Sequence, residues 1–155
     1  MSILTAAQGV INATMPLPWL VVAGQPSESQ LTAMHAAGLA RVIDLRDPME
    51  PRDYDEPAAA SALGLNYFNP PVISGALTDK AMDGVLAALR GANGTPTLLH
   101  CNSANRTGGP LIAFLMIDQK MDEASAVDAA MRSGLRSAEL LEWAVDYVKR
   151  VESRK

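Results

Sequence analysis

Residues 97–116 constrain the fold of this chain more than any other stretch. An apolar run at 97–99 leads into a short polar loop that contains the only cysteine, Cys101, and ends at Arg106. The segment that begins at Pro110 has a helical pattern and is apolar on nearly every face, through Leu111, Ile112, Phe114, Leu115 and Ile117. A helix without a polar face must be covered by other elements. We therefore expect a buried central helix, joined by this loop to a strand.

Strand and helix patterns alternate along the rest of the chain. The predicted strands are residues 19–23, 42–45, 65–68 and 97–99. The predicted helices begin at Ser27, Asp55, Thr78 or Asp79, Pro110, Asp122 and Ser137. Such alternation produces βαβ units, in which helices cover a mostly parallel sheet. We therefore expect one α/β domain, residues 1–155, with a central sheet of four or five strands flanked by helices.

Composition and charge exclude several classes of partner. The net charge of −4 at pH 7 argues against binding to nucleic acid or to an anionic membrane surface. The apolar run at 111–117 stops after seven residues, which is too short to span a bilayer. Residues 1–13 contain no Lys or Arg and so lack the charged start of a signal peptide. We expect a cytoplasmic protein, unless a signal peptide has been removed, that binds neither nucleic acid nor membrane.

The cysteine and histidine content argues against a disulfide and against a metal site. A single cysteine, Cys101, cannot form an internal disulfide. The two histidines, His35 and His100, are well separated in the sequence, so the chain lacks the closely spaced ligands of a typical metal site. We therefore expect chemistry that depends on side chains and backbone groups alone, with no cofactor.

The loop between Cys101 and Arg106 has the features of an anion-binding site. Where a strand passes into a helix, unpaired backbone N–H groups and the positive end of the helix both face the loop. This environment, with an arginine beside it, favours the thiolate form of a cysteine. A cysteine nucleophile, an amide cradle and a guanidinium are the groups needed to attack the phosphorus of a phosphate ester. The expected partner is therefore a phosphate ester or another oxyanion.

Residues 100–108, with the sequence HCNSANRTG, resemble the phosphate-binding loop of the cysteine-dependent protein tyrosine and dual-specificity phosphatases. That family has the pattern His-Cys-x5-Arg-(Ser/Thr)-Gly, and the loop here is one residue shorter. The shorter loop is similar to that of the phosphatase-like domain of beta-lactamase-hydrolase-like proteins, a bacterial branch of the superfamily. Further segments are similar to that branch in the same order, namely 24–27, Gly38, 42–46, Glu50 and 64–67. The resemblance implies a phosphotyrosine-phosphatase-like fold.

The resemblance also implies a role for each residue of the loop. Cys101 is expected to be the nucleophile that forms a phosphocysteine intermediate. Arg106 is expected to bind two phosphate oxygens through its guanidinium, which a lysine could not reproduce. Thr107 is expected to donate a hydrogen bond to the leaving thiolate, and His100 to support the loop. The backbone N–H groups expected to bind the phosphate belong to Asn102, Ser103, Ala104, Asn105 and Arg106.

The sequence leaves the general acid open. Phosphatases of this kind carry an aspartate on the loop after the preceding strand, and it protonates the leaving oxygen. The corresponding stretch here, 69–75, contains no carboxylate. Asp79 is the nearest carboxylate downstream and is the predicted catalytic acid, although the same residue fits a helix cap. Asp47 and Glu50, which follow the second predicted strand, are the alternatives.

Two other functions compete with a phosphatase. Rhodanese-like sulfurtransferases have the same loop length, and such an enzyme would carry a persulfide on Cys101. The flanking His100 and Thr107 favour the phosphatase instead. The third hypothesis is an oxyanion-binding module with little turnover, which the missing carboxylate at 69–75 favours.

Overall fold

A five-stranded sheet forms the centre of residues 1–154, the part of the chain described by a computed structural model. In chain order the strands are β1 (Thr14–Leu17), β2 (Leu20–Ala23), β3 (Arg41–Asp44), β4 (Asn66–Phe68) and β5 (Thr97–His100). They lie side by side in the order β1-β2-β5-β3-β4. The last four in this order run parallel, and β1 is antiparallel to β2. The predicted fold class, a mostly parallel sheet of four or five strands, is confirmed.

Helices cover both faces of the sheet. They are α1 (Ile3–Ala6), α2 (Glu28–Ala36), α3 (Glu56–Leu63), α4 (Asp79–Ala92), α5 (Gly108–Ile117), α6 (Glu123–Arg132) and α7 (Ala138–Ser153). Side chains that alternate along the strands supply two cores. Leu20, Ile43 and Leu99 pack with helices α4 to α7, whereas Val21 and Leu98 pack with helices α1 to α3. No helix within residues 1–154 is both long and apolar enough to cross a membrane.

Helix α5 is the buried central helix that the sequence predicts. It packs against α4, α6 and α7, and its first eight residues are buried. Two glycines permit the close packing at its start. A Cβ on Gly108 would lie 2.6 Å from a carbon of Leu135, and one on Gly109 would lie 3.0 Å from the Trp143 ring. The start of α5, and the loop before it, are therefore set rigidly against the C-terminal helices.

The predicted helix starts at Ser27 and at Thr78 or Asp79 correspond to caps in the structure. The capping box of α2 forms between Ser27 and Gln30, and the cap of α4 is Thr78 rather than Asp79. The edge strand β1 was not predicted, because its four residues contain Pro16 and show no alternating burial. An edge position tolerates a proline, since one side of such a strand has no ladder partner.

Candidate active site

The loop between β5 and α5 lies at the carboxyl end of the central strand. In register, His100 of β5 pairs with Ala23 of β2 and Asp44 of β3, so the loop begins between two neighbouring strand ends. The chain after β2 passes so close that a Cβ on Gly24 would lie 2.7 Å from the carbonyl oxygen of Asn102. Ligands of parallel sheets bind at such strand ends. This is the place where the sequence predicts the site.

Neighbouring segments hold the carbonyl oxygens of the loop. The backbone N–H groups of Leu45 and Gln25 donate to the carbonyl oxygens of His100 and Asn102, each at 2.9 Å. Asn12 Nδ2 donates to the carbonyl oxygen of Ser103 at 3.0 Å, and Thr107 Oγ1 donates to that of Ala104 at 2.8 Å. Ala104 adopts the left-handed conformation, with φ of 70°, which few residues other than glycine do. The backbone is thus fixed with its carbonyl groups bonded to surrounding segments.

Four N–H groups of the same loop are free to bind an anion. Ala104 N–H donates to Cys101 Sγ at 3.1 Å, and the thiol is fully buried. Those of Asn102, Ser103, Asn105 and Arg106 have no acceptor among residues 1–154. Unpaired backbone donors in a loop that leads into a helix favour negative charge at this position.

Arg106 forms an ion pair with a carboxylate of the protein itself. Its Nη1 lies 2.6 Å from Glu50 Oε2 and its Nη2 lies 2.9 Å from Glu50 Oε1. Glu50 belongs to the loop between β3 and α3, where its backbone N–H donates to Asp47 O at 2.9 Å. Two parallel bonds of this kind are the way a guanidinium also binds phosphate. The ion pair lowers the pKa of Glu50, with Arg106 as the main cause.

The guanidinium of Arg106 is also close enough to Cys101 to be affected by it. Glu50 raises the pKa of Arg106 most, and Cys101 makes a smaller contribution in the same direction. The side chain of Arg106 is 18 % exposed and that of Glu50 is 30 % exposed, whereas Cys101 is fully buried. Glu50 therefore approaches the site from the solvent side and Cys101 lies at its base.

His100 lies beneath the loop in a buried charged network. Its Nε2 is 2.6 Å from Glu56 Oε2, and its Nδ1 is 3.1 Å from the carbonyl oxygen of Cys101. Burial alone would lower the pKa of His100, but the carboxylates of Glu56 and Asp44 outweigh it and raise the pKa. With an acceptor at each ring nitrogen, the doubly protonated ring fits this position best. It places a positive charge under the Cys101 loop.

Asp44 completes this network from the end of β3. Arg46 donates to it through Nε at 3.0 Å and Nη2 at 2.9 Å, and Tyr67 donates through its hydroxyl. Burial opposes the charge of Asp44, but Arg46, His100 and Tyr67 together lower its pKa to about 2. Ligand atoms of Asp44, Glu56 and His100 lie within 4.8 Å of one another. Arg46 and His100 lie within ion-pair distance of both carboxylates.

Thr107 is buried at the end of the loop. Its hydroxyl donates to Ala104 O at 2.8 Å rather than to Cys101 Sγ. The implied hydrogen bond to the thiolate would need a rotation of this hydroxyl and stays a prediction. The side chain of Asn105 is engaged elsewhere, because its Oδ1 accepts from Arg136 N–H at 2.7 Å and Ser137 N–H at 3.2 Å.

The environment of Asp79 argues against its predicted role as the acid. Arg150 of α7 binds it through two nitrogens, at 2.6 and 2.8 Å. This pair is the main cause of a lowered pKa for Asp79, so a proton on its carboxylate is disfavoured. The preceding segment is tied down as well, since Asn69 Nδ2 donates to the carbonyl oxygens of Asp44 and Arg46.

Asp79→Asn is expected to lower the rates on good and poor leaving groups by the same small factor. The reason is that the substitution removes a contact between α4 and α7 and no proton donor. Initial rates with nitrophenyl phosphate and with an alkyl phosphate measure this. A loss confined to the alkyl phosphate would restore Asp79 as the acid.

Sequence reasoning did not connect the two ion pairs that shape the site. Glu50 and Arg106 are 56 residues apart, and Glu56 and His100 are 44 residues apart. Glu50 was considered only as an alternative acid, and Glu56 only as part of a helix. The one available signal is that Glu50 lies in the loop that follows β3, and Glu56 at the start of the helix that this loop leads into.

The chain has a curated relative of greater length. No protein-family model matches this chain. It is 30 % identical over 117 residues to the beta-lactamase hydrolase-like protein of Xylella fastidiosa (strain Temecula1 / ATCC 700964), a match that covers 72 % of this chain. The match spans only 27 % of that protein. The resemblance drawn from the sequence is confirmed for this segment.

Solved structures of phosphatases share the fold. A candidate phosphatase (DUF442) from Shewanella putrefaciens CN-32 has a TM-score of 0.78 and 20 % identity, covering 97 % of this chain and 95 % of that chain. P. aeruginosa TpbA, in complex with pTyr, has a TM-score of 0.69 and 20 % identity, covering 90 % of this chain and 83 % of that chain. The predicted phosphotyrosine-phosphatase-like fold is confirmed.

Proposed function

We propose that the chain is a cysteine-dependent phosphomonoesterase that works through a covalent phosphocysteine. The observation that carries this proposal is the bidentate ion pair of Arg106, in the loop that contains the buried Cys101. Its Nη1 and Nη2 bind the two carboxylate oxygens of Glu50 at 2.6 and 2.9 Å. A side chain that holds a carboxylate in this way is preorganised for two oxygens of a phosphate. The similarity of the fold to phosphatases supports the same chemistry.

In the first step, the phosphate of the substrate takes the place of Glu50 in the fork of Arg106. The free N–H groups of the loop and the start of α5 stabilise its charge. The Cys101 thiolate then attacks phosphorus, the S–P bond forms and the bond to the leaving oxygen breaks. The positive His100 beneath the loop stabilises the thiolate before the attack.

In the second step, water attacks the phosphorus of the phosphocysteine and the S–P bond breaks. Inorganic phosphate leaves and the thiolate is restored. Thr107 stabilises the departing sulfur in this scheme, after its hydroxyl has turned from the carbonyl oxygen of Ala104. Four residues between Cys101 and Arg106 also fit a sulfurtransferase, which would carry sulfur rather than phosphate on the same thiol.

Two parallel assays separate these functions. We expect hydrolysis of aryl phosphates, inhibited by inorganic phosphate, and no transfer of sulfur from thiosulfate to cyanide. Sulfur transfer without phosphate hydrolysis would establish the sulfurtransferase. Tight binding of phosphate with neither activity would establish an oxyanion-binding module.

A further inference from the structure

We infer that Glu50 is the general acid of this reaction: it holds Arg106 in the free protein and protonates the leaving oxygen after phosphate has displaced it. The inference rests on the proposed phosphatase function. Glu50 is the only carboxylate within residues 1–154 that forms a hydrogen bond or ion pair with a residue of the loop from Cys101 to Arg106.

The position of Glu50 fits the geometry of the attack. In a displacement at phosphorus, the attacking and leaving atoms lie roughly in line. Cys101 attacks from the buried base of the site, so the leaving oxygen points toward solvent. Glu50 reaches Arg106 from the solvent side, with its side chain 30 % exposed. A carboxyl group released from Arg106 therefore remains on the side where the leaving oxygen departs.

The backbone keeps Glu50 near the site after it is displaced. Its N–H donates to Asp47 O at 2.9 Å, and Met49 N–H donates to Asp47 Oδ1 at 3.0 Å. These bonds close a turn over residues 47–50. The Cα of Glu50 is thus fixed. Rotation of its side chain, which also breaks the 2.6 Å hydrogen bond from Asp47 N–H to Glu50 Oε2, exchanges Arg106 for the leaving oxygen.

Substrate binding also changes which form of Glu50 is favoured. In the free protein Arg106 is the main cause of its lowered pKa, with smaller contributions from the backbone of Asp47 and the charge of Arg46. Phosphate removes the Arg106 partner and brings negative charge close to the carboxyl group. Both changes favour the protonated acid. Glu50 therefore takes up a proton as the phosphate enters.

The other carboxylates near the site are engaged elsewhere. Segment 69–75 contains none, and Asp79 is bound by Arg150. Asp44 and Glu56 are buried beneath the loop, where Arg46 and His100 hold them. The carboxylate of Asp47 accepts the N–H of Met49 in the turn. Glu50 is the one with an exchangeable partner at the phosphate position.

Glu50 donates the proton in the first step and accepts one in the second, so no other proton donor or acceptor is needed. As the bond from phosphorus to the leaving oxygen breaks, the proton of the Glu50 carboxyl group moves to that oxygen and an alcohol or phenol departs. In the second step, the carboxylate takes a proton from the attacking water, the S–P bond breaks and inorganic phosphate forms. Glu50 is then protonated again, and release of phosphate returns it to Arg106 as a carboxylate, with loss of the proton to solvent.

The test compares Glu50→Gln with Asp53→Asn across leaving groups. Asp53 lies in the same loop, is exposed and has no hydrogen bond or ion pair within the described residues, so it matches the change in charge. We expect Glu50→Gln to reduce turnover of an alkyl phosphate by about 10²- to 10⁴-fold and that of dinitrophenyl phosphate far less, because a good leaving group needs no acid. Asp53→Asn is expected to behave as wild type.

Other results would overturn the inference in distinguishable ways. An equal loss on every ester would make Glu50 a positioning residue for Arg106. Faster hydrolysis of all esters by Glu50→Gln, with tighter binding of inorganic phosphate, would make Glu50 an inhibitory contact and no acid. If wild type shows no hydrolysis that depends on Cys101, the proposed function fails as well. If that hydrolysis is present, only the role of Glu50 is in question.

Discussion

Cys101→Ser is expected to abolish turnover of phosphate esters while phosphate still binds. Serine has nearly the same shape, so the loop and its free N–H groups keep their geometry. Its hydroxyl is a far weaker nucleophile than a thiolate. Loss of the proposed thiolate also removes a charge that repels the phosphate, so binding should be equal or tighter. Initial rates with nitrophenyl phosphate and calorimetry with inorganic phosphate measure the two effects.

The paired measurement separates catalysis from folding. A variant that neither turns over nor binds phosphate would be uninformative about the nucleophile, so a thermal melt of Cys101→Ser should match wild type. Turnover that persists in a folded Cys101→Ser would mean that Cys101 is only a buried structural residue.

Arg106→Lys is expected to weaken binding of inorganic phosphate by about 10- to 100-fold. Hydrogen bonds to a charged partner contribute about 1.5–3 kcal/mol each, and a lysine keeps the charge but loses the two-point fork. The same substitution also loosens Glu50, which competes for the same nitrogens in wild type. This second effect partly offsets the loss. The measured reduction in phosphate affinity is therefore smaller than the contribution of the two guanidinium hydrogen bonds. Calorimetry with phosphate gives the ratio.

Arg90→Lys is the matched control for this experiment. Arg90 also binds a carboxylate through two nitrogens, at 2.8 and 2.9 Å, but its partner is Asp118 on the outside of the helices. The Arg90→Lys variant should bind phosphate with the same affinity as wild type. Equal phosphate affinity in wild type and Arg106→Lys would show that the anion site is not built on Arg106.

Sequence-local features of the fold could be predicted because their causes lie within a few residues. The capping box of Ser27 and Gln30 marks the start of α2, and Gly64 ends α3 in the left-handed conformation. The all-apolar α5 could only be a central helix. Likewise Cys101 and Arg106 lie in one loop at a strand–helix junction. The short spacing between them is enough to predict that they belong to one site.

Features that depend on contacts between distant segments could not be predicted. Nothing in the local pattern of Glu50 shows that it meets Arg106, because the turn that carries it is positioned by the end of β3. The spacing of His100 and Glu56 is equally uninformative, because the two side chains meet only when the first residue of α3 reaches the last residue of β5. Asp79 was favoured for its nearness in sequence, whereas the structure places it against Arg150 of α7.

Direct detection of phosphate on Cys101 tests the central claim most directly. Wild-type protein is mixed with nitrophenyl phosphate, quenched within the first turnovers and digested, and the peptide that contains Cys101 is examined by mass spectrometry. The account predicts a phosphoryl group on Cys101 that appears before steady state and is absent from Cys101→Ser. Hydrolysis at the wild-type rate with no such adduct, or with a persulfide on Cys101 in its place, would contradict it.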